Sequence, residues 1–533
     1  MQRDFLDQDG NFLVLTHQPA YRVRNLRRHD RRTALGWPAD RKDTIDNRRN
    51  FPPTDVEVPQ ADPVFEVPNP FAFRGVTYIN RPWAEAKAAD PDSIGQPPRA
   101  EVSLGESLAA AGAQKPVGLA PAQLIARLPR PLQLALAASS TDPDDLTSLA
   151  ALSCELVMNP DQTPQGRRYQ PGGRRPLIHD HDLYETVANN PHLPDAYKKI
   201  MVLQPGAQGD SEIVGEYGAP GDATHIYEYL RRNSYIPWGH YAANMAEDAI
   251  RYRIDDLTAA DMTGLRHLYY QRTYVRLAEL LDLPVKWRRT GLTEDDLEEL
   301  RSQVQDRLTA TDTDRMPFTA TLWGWNFGYD CSGSGFRLHA SHQQIHQQYA
   351  LVPPWPAFAA GDQVADSCRT FRRRHGRGLF AAYLQAIRQN RRLDGRTQGP
   401  TELIVHEDEH IVLFVPKAQV SQWELQIMTK EEVGNIVEAD PACRTALDRT
   451  LLLAQRILAG LGASLVTSLE YSKRLDATDH DQRLLYALLP KLPYAMGAFT
   501  EAQQRFICGH YPEDFAARCR NIGDQLAQNA DWP

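Results

Sequence analysis

The sequence predicts an α+β fold, with two similar halves following an irregular N-terminal extension. The first observation is an order of elements from residue 361 onward. Two short apolar runs, Ile411-Val-Leu-Phe-Val415 and Glu424-Leu-Gln-Ile-Met428, read as strands, and Asp440-Pro441 then opens a helix. That helix carries Leu447, Leu451, Ala454 and Leu458 on one stripe. The second observation is that a similar order begins near residue 225, with Tyr241-Ala-Ala-Asn-Met245 as a strand and Thr258 capping a helix that bears Met262, Leu265, Leu268 and Tyr269. The third is that residues 1 to about 135 are rich in Pro and Arg and lack long periodic runs, as in Val58-Pro-Gln-Ala-Asp-Pro-Val-Phe-Glu-Val67.

The chain therefore divides into an extended arm (1–140), a helical and loop connecting region (141–224), a first half (225–360) and a second half (361–533). In the connecting region a helix is predicted over 141–158, with Thr141 or Asp142 as cap and Pro143 in its first turn; the Gly/Arg/Pro-rich stretch 165–176 reads as a loop. The acidic segment Thr293-Glu-Asp-Asp-Leu-Glu-Glu-Leu-Arg301 reads as a capped, solvated helix inserted in the first half, without chemistry of its own.

Composition narrows the function classes. The net charge of −9 argues against a general nucleic-acid binder, which needs a basic surplus, but leaves room for small phosphorylated substrates. No apolar run approaches the ~18 residues of a membrane span, and the N-terminal residues lack the apolar core of a secretory signal. Six cysteines lie scattered without a CxxC pair and read as reduced thiols of a cytoplasmic protein. The arginines at 22, 24, 27, 28, 31 and 32, and those at 372, 373, 374 and 377, read as solvated or ion-paired faces, with a phosphate-attracting rim as the functional alternative.

The stretch richest in chemistry is Ser341-His-Gln-Gln-Ile-His346-Gln-Gln348, which follows the Gly/Ser loop Cys331-Ser-Gly-Ser-Gly335 and runs into Tyr349-Ala-Leu-Val352. On a strand, His342, Gln344, His346 and Gln348 share one face. A histidine with an unperturbed pKa of about 6.5 offers a neutral lone pair at pH 7. The amide and hydroxyl neighbours can donate to phosphate oxygens, where charge accumulates during phosphoryl transfer.

The spacing of Ser341, His346 and Gln348 resembles the histidine-triad (HIT-like) active site in the form found in galactose-1-phosphate uridylyltransferases and diadenosine tetraphosphate phosphorylases. Trp325-Asn326-Phe-Gly328 is similar to the Asn-x-Gly that precedes that family's glycine-rich turn, and Asn233-Ser-Tyr-Ile-Pro-Trp-Gly-His240 resembles the approach to its first central strand. Glu409 to Pro416 with Trp423-Glu424, Leu488-Leu-Pro490 and Pro512 to Ala517 resemble parts of its second half, so the likeness runs over about residues 225–525.

The resemblance implies two HIT-like half-domains, each an antiparallel sheet with packed helices, the second degenerate. It implies a nucleotidyltransferase or phosphorylase in which His346 takes a nucleotidyl group from a nucleoside diphosphate sugar or dinucleoside polyphosphate. Gln348 and Ser341 act with His346, while Asn326, Gly328, Gln344, His342 and Asn233 bind substrate. A phosphate-containing acceptor then removes the nucleotide, and a homodimer is implied. Neither nucleic acid nor membrane is a partner.

The chain departs from the family at Gln344, where a histidine is usual, and at Leu485 and Ala487, which replace a second-half His-x-His. With no CxxC near the N-terminus, no metal and no cofactor are expected. A HIT-type hydrolase, a catalytically silent nucleotide-binding member and a His-based metal-binding protein remain alternatives. For the last, His342 and His346 stand at i and i+4 with His339 nearby, but Gln343 cannot serve as the general base of a zinc-bound water. His179-Asp-His181-Asp182 would project two imidazoles together if it formed a strand.

Overall fold

The computed structural model describes residues 4–25, 34, 36, 54–97, 101–112, 120–171, 176–188, 190, 192–201, 254, 257–285, 292–310, 316–328, 346–354, 360–492 and 502–528. The fold is α+β. The region expected to be an irregular arm contributes strands β1 (Leu15–His17), β2 (Tyr21–Val23), β3 (Val56–Val58), β4 (Val64–Pro68) and β5 (Val76–Asn80). Here the structure differs from the sequence reading. β4 and β5 are central in a four-stranded sheet, ordered β1-β4-β5-β15, and its last strand β15 (Arg505–Cys508) arrives in parallel from the far end of the chain. Helices α1 (Arg81–Ala89), α2 (Leu104–Ala110), α3 (Pro121–Arg127) and α4 (Arg130–Ser139) follow.

Helix α5 (Pro143–Ser153) is shorter than the 141–158 expected. Asp142 caps it, and its chain then straightens into β6 (Leu156–Met158), which pairs with β7 (Pro164–Arg167). The turn at Asn159 to Thr163 decides this, with Gln162 at a φ of 66° and Asn159 N–H donating to Thr163 O at 2.8 Å. That hairpin also takes part of the stretch read as a loop. His179 and His181 do not share a strand: His181 starts α6 (His181–Ala188), and Asp180 and Asp182 pair with Arg130. Helix α7 (Asp195–Met201) closes this small helical layer. The strand expected at Tyr241–Met245 lies outside the described residues.

The site-bearing layer is a seven-stranded antiparallel sheet. Helices α8 (Ala259–Leu280) and α9 (Glu294–Ala310) precede β8 (Ala320–Gly328) and β9 (His346–Val352). Helices α10 (Ala360–His375) and α11 (Leu379–Arg388) lead into β10 (Ile404–Glu407), β11 (Ile411–Phe414) and β12 (Leu425–Thr429). Helix α12 (Pro441–Gly460), β13 (Leu465–Tyr471), β14 (Leu485–Pro490) and helix α13 (Pro512–Gln528) complete it. Among the described residues the strand order is β10-β11-β12-β14-β13-β8-β9, so strands from 225–360 and from 361–533 lie in one sheet, with β9 last in that order.

Each face of this sheet has its own core. On one face α8, α9, α12 and α13 bury Trp323, Trp325, Phe327, Ile427, Tyr486 and Leu488. Each such apolar side chain contributes roughly 1.5–3 kcal/mol. On the other face, Phe5, Phe12, Phe71 and helices α10 and α11 cover Val412, Phe414, Met428, Leu485 and Ala487. Strands β11 and β12 are buried throughout, and β11 reads as an unbroken apolar run, whereas β8 alternates because only one of its faces is sealed.

Helix α9 also differs from its expectation. Thr293 and Asp296 cap it reciprocally, as the acidic segment suggests. It extends to Ala310, however, and Leu297, Leu300, Val304 and Leu308 form a buried stripe, so it is part of the core.

Helix α11 has no side-chain cap of its own. Asp481, from the approach to β14, supplies one across the fold by accepting from Leu379 N at 3.2 Å and Phe380 N at 3.0 Å. Gly378 is needed for this approach, because a Cβ there would lie 2.1 Å from the Asp481 carboxylate. Replacing Asp481 by Ala orphans both amides and is expected to cost about 1–3 kcal/mol, read as a lowered urea midpoint at unchanged slope.

Candidate active site

Strands β8 and β9 bring two separated motifs into register. Asn326 stands directly opposite His346, Trp325 opposite Gln347 and Gly324 opposite Gln348. On β13, Thr467 lies opposite Asn326 and Leu469 opposite Gly324. This part of the sheet is outside the second core. Gln348 is exposed, Asn326 and Thr467 are half-buried, and Leu469 is 38% exposed. Thr467 Oγ1 donates to Asn326 Oδ1 at 2.7 Å, which orients that amide on the open face.

Gly328 ends β8 at a φ of 112°, and a Cβ there would meet Ser464 O at 2.2 Å. That approach of backbone to backbone is by itself enough to require glycine. His346 is the first residue of β9. Ser341, His342, Gln344 and Asn233 lie outside the described residues.

The opposite face of β8 and β9 holds residues that the sequence reading did not single out. Arg266 of α8 is fully buried beneath Trp323, with its guanidinium 4.6 Å from that ring and 5.2 Å from Tyr486. Its Nε donates to Asp448 at 3.0 Å and its Nη2 to Tyr486 OH at 2.7 Å. Tyr269 and Tyr486 donate to Glu470 at 2.9 and 2.5 Å. Burial pushes the Asp448 carboxyl up to about 6 and raises Glu470, with Arg266 pulling both the other way. The available signal was a charged residue within the apolar stripe of each helix: Arg266 beside Leu265 and Tyr269, and Asp448 beside Leu447 and Leu451.

Other chemistry-bearing groups serve structure. Cys508 Sγ lies 3.4 Å from His510 Nε2, but burial drives the thiol up to about 12 and the imidazole down to about 3. Both are neutral, so the pair is not an activated nucleophile. Arg374 pairs with Asp4, and Arg372 donates to Asp479 O. An open cleft of about 430 Å³ between residues 69–73, Phe5 and α10 contains none of the motif residues. Among the described residues no group of His, Cys, Asp and Glu side chains could hold a metal ion, and no helix is long and apolar enough to cross a membrane.

No family model matches the chain, and no curated protein does. Among solved structures it is similar to a GalT-like protein from Arabidopsis thaliana, at 15% identity over 53% of this chain and 73% of that one, with a TM-score of 0.35. It is similar to an ADP-glucose phosphorylase from Arabidopsis thaliana with bound ADP-glucose, at 14% identity over 56% and 79%, with a TM-score of 0.35. A uridylyltransferase gives 18% identity over 46% and 70%, with a TM-score of 0.32.

Proposed function

We propose that the chain is a nucleotidyltransferase or phosphorylase of the HIT-like kind that works through a nucleotidyl-histidine on His346. The observation that carries this reading is the register of β8 and β9, with Asn326 opposite His346 and the exposed Gln348 two residues further along. A neutral ring nitrogen attacks the α-phosphorus of a nucleoside diphosphate sugar or dinucleoside polyphosphate. The P–N bond forms as the P–O bond to the sugar phosphate or nucleotide breaks, and the leaving oxygen keeps the electron pair. An acceptor phosphate then attacks the same phosphorus and restores the free imidazole.

Gln348 and the Nδ2 end of Asn326 donate to the phosphoryl oxygens as charge builds there. Ser341, His342, Gln344, Asn233 and Gly328 complete the substrate site. Two HIT-like halves sharing one sheet, divided at 225–360 and 361–533 after the arm (1–140) and connector (141–224), belong to the same proposal. So do operation without a metal or cofactor, a homodimeric state and a cytoplasmic setting.

The test is incubation with ADP-glucose, UDP-glucose or diadenosine tetraphosphate labelled at the α-phosphate, followed by assay for acid-labile label on the protein. Label that turns over only when phosphate or a sugar phosphate is added supports the transferase or phosphorylase. Label that turns over in water alone marks a hydrolase, and absence of label from all three rejects covalent catalysis.

A further inference from the structure

Among the described residues strand β9 ends the sheet order and pairs with β8 alone, so contacts from the helical layer behind it add to the hold of that ladder. The residue between His346 and Gln348 supplies such contacts from the opposite face. Gln347 Oε1 accepts from Trp323 Nε1 at 2.6 Å, and Gln347 Nε2 donates to the Leu265 carbonyl of α8 at 3.3 Å. One amide thereby joins β9 to its neighbour strand and to the helix behind it.

Two residues further along, Tyr349 repeats the attachment. Its hydroxyl is hydrogen-bonded to Arg272, the Arg272 guanidinium lies 5.7 Å from its ring, and Tyr269 packs 5.6 Å away. Trp323 is itself immobilised, being 1% exposed and held between Arg266 and Tyr486. Slippage of β9 against β8 breaks the Trp323 bond, and outward peeling breaks the Leu265 bond.

We infer that Gln347 is a positioning residue, whose amide clamps β9 so that the groups at 346 and 348 are held at a fixed place relative to Asn326. The inference rests on the proposed role of His346. It assigns Gln347 no contact with substrate; the effect is geometric, and a nucleophile displaced by about 1 Å can lose up to ~100-fold in rate.

Three variants test it: Gln347→Leu removes both bonds, Trp323→Phe removes the donor alone, and Val304→Ala perturbs the same core on α9 away from β9. With α-phosphate-labelled ADP-glucose at saturation, Gln347→Leu is expected to slow protein labelling about 10- to 100-fold, with less than about threefold change in the half-saturating concentration. Trp323→Phe falls between it and the parent, and Val304→Ala labels at the parental rate despite its lower melting temperature. Independently of activity, backbone amide exchange in β9 of Gln347→Leu is expected to quicken at least ~10-fold while β13 is unchanged.

Unchanged exchange overturns the clamp. Faster exchange with parental labelling overturns the positioning role. Labelling abolished in His346→Ala but parental in Gln347→Leu overturns this inference and leaves the transferase reading standing. A parent that takes no label rejects the transferase and, with it, the catalytic meaning of the clamp, while exchange still decides whether Gln347 fixes the strand.

Discussion

His346→Ala is expected to take up no acid-labile nucleotide from any of the three labelled substrates, with turnover about 10⁴-fold or more below the parent. A covalent path depends wholly on its nucleophile. Without the ring, phosphorus must be attacked directly by the acceptor, whose oxygens repel the negatively charged phosphoryl group. Asn326 and Gln348 would remain in place, since their strands are held by the β8–β9 ladder and by Thr467. The variant should therefore still bind nucleotide and show parental stability. That combination separates loss of chemistry from loss of fold, and His346→Ala that labels like the parent rejects the assignment outright.

How much of this was legible in the sequence depended on whether the deciding partner was local. The stripe from Met262 to Tyr269 declares a helix because its pattern repeats within a few residues, whereas the alternation Trp323-Gly-Trp325-Asn326-Phe327, read in the sequence as a motif alone, forms the half-buried strand β8. β4 and β5 were hidden because β5 is completed by a parallel partner at residues 505–508, and proline-rich flanks suggested an irregular path. The acidic first turn of α9 drew attention away from Leu297, Leu300, Val304 and Leu308 behind it. At the site, the spacing of Asn326, His346 and Gln348 could be read as one unit because a strand pair brings them into register. Gln347 was passed over because only one face of the strand was weighed.

Arg266→Leu is expected to destabilise the protein by about 3–5 kcal/mol at neutral pH, because it leaves Asp448 and Glu470 buried without their shared cation. Its pH dependence distinguishes this cause from a simple cavity. In the parent, burial raises the Asp448 carboxyl from 3.8 to about 6 in the folded state, so the folded form holds this proton more tightly than the unfolded chain. The stabilisation linked to that proton is complete below 3.8 and is lost as pH rises through about 6. Arg266 opposes the upward shift at both carboxyls. Removing it drives both folded-state values higher, carries the loss further into the neutral range and makes the variant recover towards acid pH. Urea unfolding of parent and variant at pH 5 and pH 8 should therefore give a larger difference at pH 8; equal differences would mean that lost packing around the aromatic rings, and not the charge, accounts for the effect. Because the guanidinium also lies against Trp323, whose indole N–H holds Gln347, the same substitution should quicken amide exchange in β9 more than in β11, connecting the buried charge network to the strand that begins at His346.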